Sequence, residues 1–159
     1  MIVLNTGLFW DDLAAGTRFR SRCRTITEAD LVSFVNLSWL NEELFTNAGD
    51  RSDMAIPGRV VPAALLYACA EGLVTPSMQG TGLAFLNASL DVSAPTFVGD
   101  TIRVECEVVE HRATSRPGRG LVRTRNAVVN QHGQTVLTYS PLRLMRMKHA
   151  VPAQGSRHE

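Results

Sequence analysis

The stretch VPAALLYACAEGLV, Val61–Val74, is apolar on every side apart from Glu71. A surface helix shows a polar face, so a segment without one is predicted to be enclosed by other structure. Pro62 suits a first-turn position and Thr75-Pro76 ends the helix. Working outward, the chain after the loop TPSMQGTG reads as strands. LAFLNASLDVSA comes first, and DTIRVECEVVEHR follows with Ile102, Val104, Cys106 and Val108 alternating against Arg103, Glu105 and Glu107. GLVRTRNAVVN and QTVLTYSPLRLMRMK complete the set, joined across QHG as a short hairpin. One enclosed helix within a curved antiparallel sheet is an α+β design, predicted as a single domain over residues 1–148.

Before the helix, GTRFRSRCRTI alternates Phe19, Ser21, Cys23 and Thr25 with four arginines at 18, 20, 22 and 24, the period of a strand with one face solvated. TEADLVSFVNLS carries Thr27 as N-cap, Asp30 in the capping-box position, and Leu31, Phe34 and Val35 on one face of a surface helix. From Asn41 to Arg59 the periodicity is lost and Asn, Asp, Gly, Ser and Pro gather. A loop of that length carries function or is mobile. The tail HAVPAQGSRHE, 149–159, is expected to be disordered.

A net charge of +1, with fifteen scattered arginines and one lysine, gives no electrostatic reason to expect nucleic acid or a membrane surface as partner. Cys23, Cys69 and Cys106 are too few and too far apart for a zinc site or a disulfide framework, so no metal is expected. The start MIVLNTGLFW has no basic residue, long apolar run or cleavage site, and no segment approaches the roughly 20 apolar residues of a membrane span. The expected location is cytoplasmic.

Several pieces in this order resemble the hotdog fold of the MaoC-like dehydratase family, which includes the (R)-specific enoyl-CoA hydratases. FWDDLAAGTRFRSRCRTITEADLVSFVNLS resembles the family's aromatic-acidic opening, first strand and T-x-[ST]-E-x-D helix start. PGRVVPAALLYACAEGLV resembles the segment leading into its central helix, SAPTFVGDTIRVECEVVE its P-x-x-x-G-D turn, and RPGRGLVRTRNAVVNQHGQTVL its following hairpin. The resemblance implies a homodimer, or a heterodimer with another hotdog subunit, that binds an acyl-CoA or acyl-carrier thioester as substrate with no separate cofactor. It implies addition or removal of water at a 2-enoyl thioester; the alternatives are a non-catalytic acyl-CoA-binding subunit of a heteromeric dehydratase, or a hotdog thioesterase.

That chemistry needs a group to deprotonate water, a group to protonate the α carbon, and a donor for the developing oxyanion. In the family an Asp and a His in a D-x-N-P-x-H-like pattern supply the first two, and an amide at the start of the central helix supplies the third. SWLNEELF places Leu40 at the Asp position and Phe45 at the His position. Neither side chain exchanges a proton, and no histidine lies between Met1 and Val109. The family's His-Gly at the helix start is Pro62-Ala63 here, and the Ala63 N–H remains available as donor.

Glu42 and Glu43 are the acids left in that window. Either one takes over as a single acid/base, or both are solvated loop residues or cap the next turn. Glu71, the one charge in the apolar helix, pairs with an arginine or lines the far end of the acyl tunnel; eight residues of helix set it ~12 Å along the axis from Ala63. Arg59, and Arg116 and Arg119 in SRPGRG, are candidates for the CoA phosphates against the alternative of ordinary surface arginines. Phe9, Trp10 and Trp39 read first as packing residues. Trp39 beside Leu40 and Phe45 otherwise makes the substrate pocket more apolar, favouring a fatty or aromatic acyl group.

Overall fold

The computed structural model describes residues 6–149. It contains strands β1 (Arg18–Arg20), β2 (Arg24–Thr25), β3 (Gly82–Val92), β4 (Thr101–Ala113), β5 (Arg119–Val129) and β6 (Thr135–Arg146). Helices α1 (Glu28–Ser38), α2 (Glu43–Thr46) and α3 (Ala63–Val74) precede β3. The expected tail 149–159 lies outside the described residues apart from His149, as does His158.

All six strands form an antiparallel sheet in the order β1-β4-β5-β6-β3, with β2 also on β4. The early arginine-rich strand is interrupted: Phe19 pairs with Cys106 and Arg24 with Ile102, but Ser21–Cys23 leave the ladder. There the Ser21 hydroxyl accepts from the Val104 amide, and Cys23 is exposed. The alternation of β4 holds, with Ile102, Val104, Cys106 and Val108 buried.

Helix α3 covers the inner face of the sheet. Leu65, Leu66, Cys69, Ala70 and Val74 join Ile102, Val104, Val128, Val136 and Leu137 in the main core, which also takes Leu31 and Val35 from α1. Helix α1 starts as its sequence predicts: the Thr27 hydroxyl accepts from the Asp30 amide, and the Asp30 carboxylate accepts from the Thr27 amide at 2.8 Å. That amide, the largest influence, and the Arg24 guanidinium hold the Asp30 carboxyl below its ordinary range.

The N-terminal segment closes the other end of the inner face. Trp10 stacks on His111 with ring centroids 3.8 Å apart and donates to the Leu121 carbonyl. A Cβ at Gly120 would stand 2.3 Å from the Trp10 indole nitrogen, so glycine is what lets this segment lie on β5. Phe9 and Trp10 are packing residues, as their sequence context suggests.

Two surfaces differ from expectation. Helix α3 is not enclosed on every side, because Ala64, Ala68, Gly72 and, just past its end, Thr75 are exposed. Strand β3 is exposed along its whole length, including Leu83, Phe85, Leu86, Leu90 and Val92. An uncovered apolar edge strand is an open template for another chain, and this one lacks the prolines and charges that usually blunt an edge: only Asp91 is ionisable.

Candidate functional site

The start of α3 is positioned by the segment before it. Val60 bridges to Phe97, and the Val61 amide donates to the Thr96 carbonyl at 2.7 Å. Pro62, extended at φ −54° and ψ 135°, is the N-cap. No side chain caps the helix, and the first intrahelical bond runs from the Leu66 amide to the Pro62 carbonyl. The Ala63, Ala64 and Leu65 amides therefore have no intrahelical acceptor, and they stand at the positive end of the helix dipole. That arrangement can hold an oxyanion.

The loop between α1 and α3 is organised by an arginine that its sequence did not single out. Arg51 donates to the carbonyls of Asn47, Leu44 and Ile56, tying the loop into one turn. Three backbone acceptors for one guanidinium leave no trace in a periodicity pattern. Arg59 secures the same loop from the other side: Nε donates to the Phe45 carbonyl at 3.1 Å, and Nη1 pairs with Glu28 of α1.

Within that loop, Phe45 packs against the main core and Leu40 is partly exposed. Glu42 is the N-cap of α2 through its backbone, its carbonyl accepting from the Phe45 and Thr46 amides. Glu43 meets the Asn47 side chain at 3.4 Å. Both glutamates are exposed. Trp39 occupies the αL position that ends α1, with φ 63°, and is 85% exposed beside Leu37 at 83%. The indole stands in solvent rather than in the core of this chain.

Arg116 and Arg119 lie at the β4–β5 hairpin, whereas the start of α3 lies near Thr96 and Phe97, before β4 begins. A thirteen-residue β4 separates the two by roughly 40 Å. Within one chain these arginines and the Ala63 amide do not form a common site.

Glu71 does pair with an arginine. Arg143 Nη2 on β6 meets both Glu71 carboxylate oxygens at 2.5 Å, with the two side chains only 10% and 25% exposed. The Phe85 ring on the bare edge strand lies 5.6 Å from the same guanidinium. Beside the pair, Cys106, Asn126 and Tyr139 face one another across three strands in register. The Tyr139 hydroxyl and the Asn126 amide are buried without hydrogen-bond partners among the described residues, and burial, reinforced by the Glu71 charge, pushes the Tyr139 pKa far above the ordinary value. Burial likewise pushes the Cys106 thiol up to about 12, so it is inert. An open groove of about 400 Å³ runs past Glu71, Gly72 and Thr75 of the helical segment to Gly82–Phe85 of β3, with Arg143 on its floor.

This architecture, an open antiparallel sheet with one helix packed on its face, is the hotdog fold, and the solved structures it matches include MaoC-like dehydratases and (R)-hydratases among other proteins. One is a monoamine oxidase regulatory protein from Archaeoglobus fulgius, 25% identical over 92% of this chain and 99% of that chain, with a TM-score of 0.82. A second is the R-hydratase PhaJ1 from Pseudomonas aeruginosa, 23% identical over 91% and 89%, TM-score 0.72. A third is RV0216 from Mycobacterium tuberculosis, which has a double hotdog fold. This chain is 22% identical to it, with 98% of this chain matching 50% of that one at a TM-score of 0.71. No family model and no curated protein sequence matches the chain.

Proposed function

We propose that this protein binds acyl-CoA-type thioesters as one half of a paired hotdog assembly, with the Ala63 amide holding the thioester oxygen, and that its α1–α3 loop performs no proton transfer. The reading is supported by the contrast between the α3 start and the α1–α3 loop. The uncapped α3 start keeps its free donors, while Leu40 and Phe45 occupy the positions where the resemblance calls for an acid and a base. Glu42 and Glu43 are exposed and capping, which favours the reading of them as solvated loop residues.

A hotdog unit with its apolar edge strand bare supports pairing, and RV0216 carries two such units in one chain. Losing one positioned acid or base costs ~10²- to 10⁴-fold in rate. Losing both leaves binding and the oxyanion donor, so any hydration or dehydration has to draw its proton transfer from elsewhere in the assembly. The substrate itself brings the CoA or acyl-carrier thioester.

Titration calorimetry with crotonyl-CoA tests the reading, alongside Glu42→Gln and Glu43→Gln. Binding by the wild-type chain, unchanged in both variants, is the expected result. Absence of binding, or a hydration rate that collapses in either glutamine variant, would overturn it.

A further inference from the structure

The inner face of the sheet carries two polar side chains that neither the α3 start nor the α1–α3 loop uses. On β5, Val122, Thr124, Asn126 and Val128 alternate onto that face, and all four are buried. Thr124 stands opposite Val108, and Asn126 stands between Cys106 and Tyr139. With Asn126 1% and Thr124 6% exposed, bulk solvent does not serve them. Yet Nδ2 and Oδ1 of Asn126 and Oγ1 of Thr124 have no hydrogen-bond partner among the described residues. A buried amide with neither its donor nor its acceptor engaged loses its whole hydration for nothing, and folded chains keep such groups where something else supplies the bonds.

Both side chains line one small interior cavity at the C-terminal end of α3. The centre of a water-sized sphere has about 20 Å³ in which to move there, and one water needs roughly 10–15 Å³ by that measure. Apolar side chains, among them Leu13, Val74 and Met145, close most of the wall. The rest of it is polar, supplied by Ser77 and Arg143 beside Thr124 and Asn126. The Ser77 hydroxyl, in the 3-10 turn Thr75–Met78, donates to the Val74 carbonyl at 2.6 Å, so it turns only lone pairs to other donors. Arg143 reaches Glu71 through Nη2 alone, which leaves Nε and Nη1 without a protein acceptor among the described residues.

These walls select the occupant. Asn126 and Thr124 each offer a donor and an acceptor, Ser77 offers an acceptor, and Arg143 offers donors. A bare cation would face the guanidinium, and an anion could not use the lone pairs of Asn126 and Ser77. A cavity lined only by apolar groups stays dry, but this one has four polar side chains on its wall. The neutral molecule that both donates and accepts within this space is water.

We infer that the cavity is a binding site for one ordered water, held by Asn126 and Thr124 of β5 and by Ser77 of the turn that follows α3. The water is then a strut between the sheet and the C-terminal end of α3. Arg143 and Met78 line both this cavity and the open groove past Glu71, so the two share a wall. The guanidinium on the floor of the groove is thereby backed by the water on its inner side. This inference needs neither a thioester nor a second subunit.

Magnetic relaxation dispersion of the water oxygen, recorded on the full chain, counts waters held longer than the protein tumbles. Asn126→Leu removes both amide groups and puts methyls in their place. Its dispersion amplitude is expected to fall by the equivalent of one water per chain relative to wild type. An unchanged amplitude overturns the inference, whatever the stability of the variant.

Thr124→Val supplies an independent sign. The two side chains have the same shape, so removing a hydroxyl that bonds a water lowers the thermal midpoint, whereas removing an orphaned hydroxyl raises it. A fall is expected, and a rise or no change counts against the site. Should Asn126→Leu fail to fold, the wild-type chain itself carries the test. Its Asn126 side-chain amide protons should show a nuclear Overhauser contact to water, with the sign of a molecule that tumbles with the protein. Absence of that contact overturns the inference.

Discussion

Replacing Arg143 with Met tests whether the Glu71–Arg143 pair holds helix α3 to the sheet. Methionine keeps an unbranched apolar stem beneath Phe85 but removes the guanidinium, leaving the Glu71 carboxylate without its bidentate partner. Breaking a fully buried pair costs about 3–5 kcal/mol, and an exposed pair contributes about 0–1. With Arg143 10% exposed and Glu71 25% exposed, the pair sits nearer the buried limit, and about 2–3 kcal/mol is expected. Loss of the cation–π contact adds about 0.5–1 kcal/mol. For a chain of 159 residues, a total near 3 kcal/mol lowers the thermal midpoint by about 6–12 °C. Urea unfolding at fixed protein concentration measures it, since a paired assembly makes stability concentration-dependent. A cycle with Glu71→Gln should give a coupling of about 1–3 kcal/mol. A coupling below about 0.5 kcal/mol would refute the reasoning, because the pair would then behave as a solvated surface contact.

Three further outcomes rest on the same structure. Leu86→Asp combined with Val92→Asp places charges on the bare edge of β3, and light scattering should show a shift to monomer while the secondary structure by circular dichroism is retained. Thr27→Ala removes the hydroxyl half of the α1 capping box and should cost about 1 kcal/mol in urea unfolding at neutral pH. A depressed carboxyl pKa contributes stability that is present above its unfolded value, 3.8 for Asp30, and is lost as pH falls through the folded value. The wild-type chain should therefore lose stability below about pH 4, and a flat profile there would count against the Asp30 interactions.

Elements whose signals are local were legible before the structure. The capping box at Thr27 and Asp30 involves residues three apart. The alternation of β4 needs only a period of two, because successive side chains on a strand face opposite sides. That Leu40 and Phe45 are apolar is a matter of residue identity within a short stretch. The interrupted β1–β2 edge was less legible, because the alternation of Ser21 and Cys23 continues while the Ser21 hydroxyl accepts from the Val104 amide and only the Ser21 amide keeps a backbone bond, to the Val104 carbonyl.

By itself, then, the sequence determined an α+β chain with one apolar helix, an antiparallel strand set after it, and a loop that carries Leu and Phe at positions 40 and 45. Tertiary structure alone decided which surfaces remain uncovered. The order β1-β4-β5-β6-β3 sends β3 to the edge although it precedes β4 in the chain, and that choice depends on pairings between residues some 50 positions apart, such as Gly82 with Met145 at the extreme. It also decided that Glu71 meets Arg143, 72 residues away, rather than water. Hydrophobic pattern says that a helix must be buried, but burial is non-directional. Only the packed sheet shows that one stripe of α3 and the whole of β3 are left uncovered.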